Sequence, residues 1–172
     1  MSRAADQQFD RLMAEHGPAL RRLAHAYADG VADAEDLFQD ICFALWRALP
    51  SFRGDSTERT FAFRIGHNRG LTHRARKRAP PAELNEEIRD RGPGPDSLLT
   101  AALTRERLAA AVRWLPETQR QVVLLSLEGL GNVEIAEVLG VSENSVAVRL
   151  TRARKGLREI LSGKGGDDGE RG

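Results

Sequence analysis

Basic residues crowd one helical stretch near the end of the sequence, VSENSVAVRLTRARKGL at positions 141–157. They are Arg149, Arg152, Arg154 and Lys155, followed directly by Arg158. Val146, Leu150 and Ala153 recur every three or four residues, which places them on one face of a helix. Guanidinium and ammonium groups bind phosphates, and arginine also hydrogen-bonds guanine in the major groove. The stretch is therefore suited to recognising a nucleic acid, unless it is an ordinary surface helix with a solvated basic face.

The side of this helix opposite Val146 carries small and apolar residues among the polar ones. A rotation of about 100° per residue points five side chains away from the buried face: Asn144, Ala147, Val148, Thr151 and Lys155. Insertion into a DNA groove explains this mixture better than solvation does. An apolar tip can contact a thymine methyl, and a small residue permits close approach.

The preceding segment, GLGNVEIAEVLG, predicts how this helix is positioned. Ile135 and Leu139 give a short apolar helical face. Gly140 then allows a left-handed turn, and Ser142 can cap the next helix. A short helix, a tight turn and a second basic helix form the helix-turn-helix pattern, in which the second helix enters the major groove with its N-terminal residues.

A second basic region spans residues 52–78 and has a net charge of +6 over 51–79. Its apolar stripe begins at Phe61 and Ile65 but continues as Asn68 and Thr72, which would need partners if they were buried. We therefore expect both to be exposed, where amide and hydroxyl groups can read base edges while nearby arginines hold phosphates. Four nearby rings could stack on unpaired bases: Phe52, Phe61, Phe63 and His67. The alternative is a solvated basic end of a helix.

The helix predicted at 33–49 has two different sides. Its buried stripe contains Ala34, Leu37, Phe38, Ile41, Leu45 and Leu49. The opposite side carries Asp36, Gln39, Asp40 and Phe43, with Trp46 at its edge. An aromatic residue opposite a core stripe indicates either a surface that docks a partner or a helix covered on both sides by its own neighbours.

Helical periodicity predicts an all-α fold of two small domains, and no strand alternation is evident. The first helix should be bent or broken near Gly17 and Pro18. Asp33 is the expected N-cap of the second helix and Pro50 ends it. Further helices are expected at 57–78, 97–114, 117–129, 132–139 and 143–161.

Proline and glycine positions set the expected domain limits. A helical domain at 1–78 is followed by an acidic linker at 79–96, which holds four of the seven prolines and should be flexible. A second domain follows at 97–162 and contains the helix-turn-helix. The Gly-rich, charged tail at 163–172 is expected to be disordered.

Composition limits the class of protein further. The net charge is only +1, so the basic regions are apparent only locally. Cys42 is the single cysteine, which fits a reducing compartment. No apolar run is long enough to insert in a membrane, so a cytoplasmic protein is expected. Because no phosphate-binding loop, nucleophile motif or metal-ligand spacing is present, we expect no enzyme activity, no cofactor and no metal.

These features together resemble the extracytoplasmic-function (ECF) sigma factors of bacterial RNA polymerase, within the sigma-70 family. The resemblance covers about residues 8–78 and 97–161. DAEDLFQD is similar to the polymerase-binding helix of that family, and FRGDS followed by TFAFRIGHN is similar to its promoter-melting segment. LPETQRQVVLL and EIAEVLGVS…SVAVRLTRARKGL resemble its second helical domain.

The resemblance, read with the residue pattern, implies three sets of contacts. Contacts with core polymerase, on the beta-prime clamp helices, are expected from Asp36, Leu37, Gln39, Asp40 and Phe43. Contacts with the minus-ten element are expected from Phe52, Arg53, Asp55, Ser56, Arg64, His67, Asn68, Thr72 and Arg76, with the loop 52–57 capturing a flipped base. Contacts with the minus-35 element are expected from Ser142, Asn144, Ser145, Val148, Arg149, Arg152, Arg154 and Lys155.

Further partners follow from the same resemblance. The polymerase beta flap is expected to bind the protein, and the linker is expected to thread toward the RNA exit path. An anti-sigma factor is expected to regulate the protein. Three departures from the family pattern stand out. Phe61 replaces a usual tryptophan, Gly131 and Asn132 replace a frequent Ser-Tyr pair, and Ala147 and Val148 replace a frequent lysine and serine. The last pair leaves the minus-35 sequence preference open.

The function expected is that of an alternative sigma factor, in which the first domain melts the minus-ten element and the second binds the minus-35 element. Two other classes remain possible on the sequence alone. A dimeric helix-turn-helix regulator would bind a palindrome without polymerase. A protein that binds only other proteins, such as an anti-sigma-like adaptor or an inactive sigma relative, would bind no DNA. An unrecognised enzyme is the remote third option.

Overall fold

The computed structural model describes residues 3–78 and 99–162. Within these ranges the chain is helical and contains no strand. The described residues form seven α-helices, which are α1 (Arg3–Tyr27), α2 (Val31–Ala48), α3 (Glu58–Arg78), α4 (Leu99–Trp114), α5 (Glu117–Leu127), α6 (Asn132–Leu139) and α7 (Glu143–Leu161). A short 3-10 helix, Leu49–Ser51, follows α2. The expected linker and tail lie outside the described residues.

The chain divides into two compact units. Helices α1–α3 belong to the first unit, while α4, α5, α7 and residues 132–136 of α6 belong to the second. The expectation of two all-α domains is thereby confirmed, whereas the limits assigned to each domain remain predictions.

Helix α1 is continuous through Pro18, so of the two expected outcomes the break was wrong, while a bend stays a prediction. A proline inside a helix removes one backbone hydrogen bond and crowds the preceding turn. Burial on both sides of the proline compensates for this, because Leu12 before it and Leu20 and Leu23 after it all lie in the core. The apolar face therefore holds together two turns that the local sequence alone would separate.

Helix α2 begins about one turn earlier than it would if Asp33 were its N-cap. Gly30 is the N-cap residue, and the expected cap at Asp33 was wrong. Asp33 lies in the first turn, where its Oδ2 accepts a hydrogen bond from the backbone N–H of Asp29 at 2.9 Å. The same carboxylate contacts His73 Nε2 at 3.0 Å and Lys77 Nζ at 2.6 Å. The side chain thus joins the start of α2 to the last turns of α3. At the other end, α2 stops at Ala48, two residues before Pro50, close to the expected end. Pro50 itself lies in the short 3-10 helix that follows, which the sequence did not predict.

The core of the first unit forms where α1, α2 and α3 pack against one another. Its fully buried large side chains are Leu12, Leu20, Leu23, Leu37, Ile41, Leu45 and Phe63. Tyr27, at the end of α1, is also buried, and its hydroxyl lies 2.6 Å from His67 Nδ1 on α3. The Tyr27 ring packs against the backbone of Gly70, where no side chain intervenes. This close approach fixes the distance between α1 and the second half of α3.

The second unit packs α4 and α5 against α7. Its buried apolar residues include Ala111, Val112, Leu115, Val122, Leu125, Ile135, Val146, Leu150 and Ala153. Pro116 is the N-cap of α5, as the sequence indicates. Leu161 of α7 is 51% exposed. It lies in the last turn of the helix, beyond the buried residues that end at Ala153.

Asp33 makes the stability of the first unit depend on pH. Burial opposes its ionisation, but hydrogen bonds from Lys77, the Asp29 backbone and His73 outweigh that effect and lower its pKa from 3.8 to about 2. Because the unfolded chain takes up the proton first, this stabilisation is complete above about pH 4 and is lost as the pH falls toward about 2. We expect it to contribute about 1–2 kcal/mol to the unfolding free energy, since the exposed partner Lys77 is screened by solvent.

Urea unfolding of a Trp114→Phe background measures this contribution, because Trp46 then reports on the first unit alone. Asp33→Asn should destabilise the unit near neutral pH, and the difference from the parent should shrink at about pH 3. Asp10→Asn, at an exposed position on α1, is the control and should show a smaller pH-dependent difference. A destabilisation by Asp33→Asn that is equal at both pH values would contradict this role.

Gly70→Ala tests the close approach of α1 and α3. The added Cβ would lie 2.5 Å from Cγ of Tyr27. Tyr27 cannot easily withdraw, because its ring is buried and its hydroxyl is bonded to His67. We expect a loss of about 1–2 kcal/mol, since overpacking exceeds the helix-propensity gain from replacing glycine.

The matched control for Gly70→Ala is Gly30→Ala in the same unit, where a Cβ meets nothing within 4 Å. This change should cost less than about 1 kcal/mol, the effect of placing alanine at an N-cap. Urea unfolding of both variants in the Trp114→Phe background provides the comparison. Equal stability of Gly70→Ala and the parent would show that the Tyr27 contact can relax.

Candidate nucleic-acid and partner-binding surfaces

The turn before α7 has the geometry that the sequence predicts. Gly140 adopts a positive φ of 67°, which glycine permits without strain. The backbone N–H of Val141 donates to the carbonyl of Ala136 at 3.1 Å, closing the end of α6. Ser142 is the N-cap of α7, and its Oγ accepts from the backbone N–H of Ser145 at 3.1 Å. A glycine turn and a serine cap therefore define where α7 begins and in which direction it leaves the turn.

Helix α7 divides sharply into a buried and an exposed side. Val146, Leu150 and Ala153 are buried. The exposed side carries five of the expected minus-35 residues, which are Asn144, Val148, Arg152, Arg154 and Lys155. Thr151, which was not among the expected contacts, is exposed on the same side. Arg149 is half-buried beside this surface. We call this set, with Arg149, the α7 surface. It is cationic and continuous along the helix, as recognition of a phosphate backbone and a groove requires.

The two expected serine contacts at the start of α7 are partly engaged within the turn. The Oγ atoms of Ser142 and Ser145 lie 2.8 Å apart, in addition to the capping bond. Ser142 is exposed, whereas Ser145 is half-buried. Their first role is thus to hold the N-terminus of α7.

Helix α3 exposes Asn68 and Thr72 on one side, as expected for residues that leave the core. The hydroxyl of Thr72 donates to the backbone carbonyl of Asn68 at 3.0 Å. Arg76 is exposed one turn further on, and Arg64 is half-buried one turn before. We call these four residues the α3 surface.

His67 does not belong to the α3 surface, although the sequence placed it among the base-stacking residues. Its side chain is only 3% exposed and its Nδ1 lies 2.6 Å from the Tyr27 hydroxyl. The His67 and Tyr27 rings meet edge to face, with centroids 5.8 Å apart. A ring held in the core cannot stack on a base, so this expectation was wrong for His67. It was wrong for Phe63 as well, because that ring is 1% exposed in the core of the first unit. The local pattern gave no indication, because the partner of His67 lies 40 residues away in α1.

The segment from Phe52 to Thr57 connects the 3-10 helix to α3 and turns at Gly54, whose φ is 78°. Thr57 ends it by capping α3, with its Oγ1 accepting from the Thr60 N–H at 3.0 Å. Arg53 and Asp55 are exposed, while Ser56 is half-buried. The Phe52 and Phe61 rings lie 4.7 Å apart, both half-buried. The segment, called here the 52–57 loop, places this aromatic pair beside exposed polar groups.

The outer side of α2 is acidic and aromatic. Asp36 and Gln39 are exposed, and Phe43 is 56% exposed. The Phe43 ring stacks near Trp46, with centroids 6.3 Å apart, and the Arg47 guanidinium lies 5.7 Å from the centre of the Phe43 ring. We call Asp36, Gln39, Asp40, Phe43 and Trp46 the α2 surface.

Two expected polymerase contacts on α2 differ from the rest. Leu37 is fully buried in the core, so the expectation that it contacts polymerase directly was wrong. It also belongs to the apolar stripe of α2, and burial decides between the two roles. Asp40 lies 3.6 Å from Arg69 of α3, so its carboxylate forms an ion pair within the first unit. The same side chain also belongs to the α2 surface.

One exposed feature was missed by the sequence reasoning. Trp114, the last residue of α4, is 78% exposed beside a groove of about 380 Å³. The groove is lined by Leu115, Pro116, Arg152, Lys155 and Ile160, among others. A tryptophan at the end of a predicted helix, two residues before a proline, was the available signal.

Membrane and metal binding were examined in the same ranges. Among the helices at 3–78 and 99–162, none could span a lipid bilayer. The described side chains include no group of three or more His, Cys, Asp or Glu residues arranged to hold a metal ion.

Two family models match the chain in the same order as the two units. The model of sigma-70 region 2 matches residues 12–79, and that of sigma-70 region 4 matches residues 105–157. The first covers α2, the 52–57 loop and α3. The second covers the helix-turn-helix and most of α7.

Whole-chain relatives have the same domain order. RNA polymerase sigma factor CnrH of Cupriavidus metallidurans is 34% identical over 164 residues, covering 89% of this chain and 86% of CnrH. ECF RNA polymerase sigma factor SigM of Mycobacterium tuberculosis is 31% identical, covering 89% of this chain and 76% of SigM. The ECF RNA polymerase sigma-E factor of Escherichia coli is 28% identical, covering 87% and 84%.

The solved structures that this chain resembles are also structures of sigma factors. CnrH in complex with the cytosolic domain of CnrY has a TM-score of 0.70 at 30% identity, covering 92% of this chain and 90% of CnrH. The sigma factor RpoE of Bartonella quintana, in complex with the anti-sigma factor NepR, has a TM-score of 0.73 at 25% identity, covering 91% and 98%.

The chain belongs to the sigma-70 family, in its extracytoplasmic-function class. It is an alternative sigma factor that works with core RNA polymerase and promoter DNA in transcription initiation. A dimeric regulator that acts without polymerase is not favoured.

Proposed function

We propose that the three surfaces divide promoter recognition among them. The α7 surface reads the minus-35 element as duplex DNA, the α3 surface and the 52–57 loop hold the minus-ten element, and the α2 surface docks on the beta-prime clamp helices. The observation that supports this division is the exposure of all three surfaces. Each includes exposed side chains on a helix whose opposite side is buried in a core. Internal contacts engage only part of the α2 surface, where Asp40 lies near Arg69 and Trp46 hydrogen-bonds Asp6.

For the minus-35 element, the N-terminal half of α7 offers the groups that read base edges. Asn144 can bond adenine at two atoms, and Arg149 can bond guanine at two atoms. Arg152, Arg154 and Lys155 follow on the exposed side, where they can bind phosphates. The serine cap and the Gly140 turn direct these residues into the major groove.

For the minus-ten element, the α3 surface and the 52–57 loop offer different contacts. Asn68 and Thr72 can reach base edges, while Arg64 and Arg76 hold phosphates. The loop would receive a flipped base of the unpaired strand through Phe52, Arg53, Asp55 and Ser56. Flipping costs a few kcal/mol, and stacking on aromatic rings returns about 1–3 kcal/mol per base. His67 makes no DNA contact in this proposal. Its hydrogen bond with Tyr27 in the core holds α3 in place.

Binding both DNA elements from one polymerase makes weak contacts sufficient. Each unit is small and would bind DNA weakly alone, but attachment to the same enzyme raises its effective concentration at the promoter. No bond is made or broken by this chain, so we propose no enzymatic activity and no cofactor for it. Because polymerase and the chromosome are its partners, we place its action in the cytoplasm.

Two further partners are proposed from the resemblance and the comparisons. The polymerase beta flap would bind the second unit. An anti-sigma factor would hold the protein inactive, a proposal supported by the RpoE structure solved with the anti-sigma factor NepR.

The α2 surface can be tested by reversing its charge. Asp36→Arg combined with Gln39→Ala should weaken binding to core polymerase at least tenfold, because a rim charge of the wrong sign repels its partner and a contact is lost. Fluorescence titration of core polymerase with the labelled full chain measures the affinity. Both positions are exposed, so the helical circular dichroism signal should stay unchanged.

The matched control is Gln7→Ala combined with Asp10→Arg. It makes the same two changes at the same spacing on the exposed side of α1. Its polymerase affinity should stay within about twofold of the parent, since surface changes away from an interface are nearly neutral. Equal affinities of both double variants would remove the α2 surface from the proposal.

Arg149→Ala tests the reading of the minus-35 element. If Arg149 bonds a base, its loss should cost about 1–3 kcal/mol and relax sequence preference at one position. Transcription by the reconstituted holoenzyme from a promoter library randomised in the minus-35 element measures both effects. Arg158→Ala removes the same charge from the last turn of α7 and should lower binding evenly across sequences. An unchanged preference with Arg149→Ala would argue against a base contact.

A further inference from the structure

We propose that Val148 makes the minus-35 preference of this protein depend on the methyl group of a thymine. The inference rests on the proposed function, in which α7 enters the major groove. It goes beyond that function by naming the base, the chemical group and the residue that reads it.

Val148 lies at the centre of the exposed side of α7. Val146, a fully buried residue of this helix, is two positions away, so the two side chains point in nearly opposite directions. Val148 is 40% exposed although it is a branched apolar residue. Asn144 precedes it by one turn and Arg152 follows it by one turn, and both are exposed. The valine is therefore enclosed by the polar groups that would contact DNA.

Thr151 extends this apolar spot. Its hydroxyl donates to the backbone carbonyl of Ala147 at 2.9 Å, so its proton is used within the helix. The methyl group of Thr151 is then the part of this exposed side chain left for a neighbour, one turn from Val148. Ala147 is half-buried and its side chain is short, so it does not cover the methyl groups of Val148 and Thr151. Two adjacent side chains thus present methyl groups instead of hydrogen-bond donors.

The chemistry of the base edges then decides which base fits. In the major groove, guanine presents two acceptors and cytosine presents a donor, and both lose hydrogen bonds to water if they face methyl groups. Thymine alone presents a methyl group, which gains by burial against Val148. The arrangement selects thymine through apolar contact and disfavours a G·C pair by leaving its polar groups unpaired.

The test replaces thymine by deoxyuridine, which lacks only the methyl group. A minus-35 sequence is first selected from a randomised library by the wild-type holoenzyme. Each thymine of that element, on both strands, is then replaced singly by deoxyuridine, and binding by the holoenzyme is measured. We expect one or two positions at which the wild-type protein loses about fourfold in affinity, the effect of one buried methyl.

The same series is measured with Val148→Ala, which shortens the side chain and favours the helix. Its sensitivity to deoxyuridine at those positions should fall to less than about twofold. Val133→Ala is the matched control, because Val133 is 56% exposed on α6 and should leave the wild-type sensitivity intact. Coupling between Val148 and the methyl group, and not between Val133 and that group, would support the proposal.

Three results would overturn the proposal, and they differ in whether the assignment of α7 also fails. If every deoxyuridine duplex binds the wild-type holoenzyme as tightly as its thymine parent, or if Val148→Ala keeps the full sensitivity, the methyl reading fails while α7 remains the minus-35 reader. If the selection yields no minus-35 preference and Arg149→Ala changes nothing, the assignment of α7 fails, and the methyl reading fails with it.

Discussion

The first unit depends on the close approach of α1 to the second half of α3. Gly70 supplies no side chain, so the Tyr27 ring lies against the helix backbone, and the Tyr27 hydroxyl meets His67 at 2.6 Å. A buried hydroxyl and a buried imidazole satisfy each other, which avoids the cost of two unpaired polar groups. This contact fixes the rotation of α3 about its axis. Asn68 and Thr72 consequently face outward, and an α3 rotated by even a third of a turn would bury them.

In the second unit, a different constraint fixes the orientation of the helix that carries the exposed residues. In α7 the direction of the helix is set at its beginning, where Gly140 adopts a positive φ and Ser142 caps the first turn. Three buried residues, Val146, Leu150 and Ala153, then fix its rotation. Because one side is held in the core, Val148, Arg152 and Arg154 lie on the exposed side, with the half-buried Arg149 beside them. Capping sets direction and burial sets rotation, and a helix that reads a groove needs both.

Charge is arranged locally in this protein and cancels over the whole chain. The net charge is +1, yet residues 51–79 alone contribute +6 and residues 142–158 contribute +4. Some of these charges are used internally: Lys77 and His73 hold Asp33, and Arg69 holds Asp40. A count of arginines and lysines therefore overestimates what is free to meet phosphate. The exposed sides of α3 and α7 are the surfaces that we propose for DNA contact.

The sequence by itself determined the two-part helical organisation, the helix-turn-helix, the glycine turn and its serine cap, and the outward side of α7. These follow from spacing and local backbone preferences, which act over a few residues and are readable in order along the chain. Only the tertiary structure decided that α1 continues through Pro18, that Asp33 links two helices instead of capping one, and that Leu37 and His67 lie in the core. Each of these outcomes depends on a partner far away in the sequence, such as Tyr27 for His67 and Lys77 for Asp33. Local periodicity places a residue on a face of its helix, but packing between helices decides whether that face is covered.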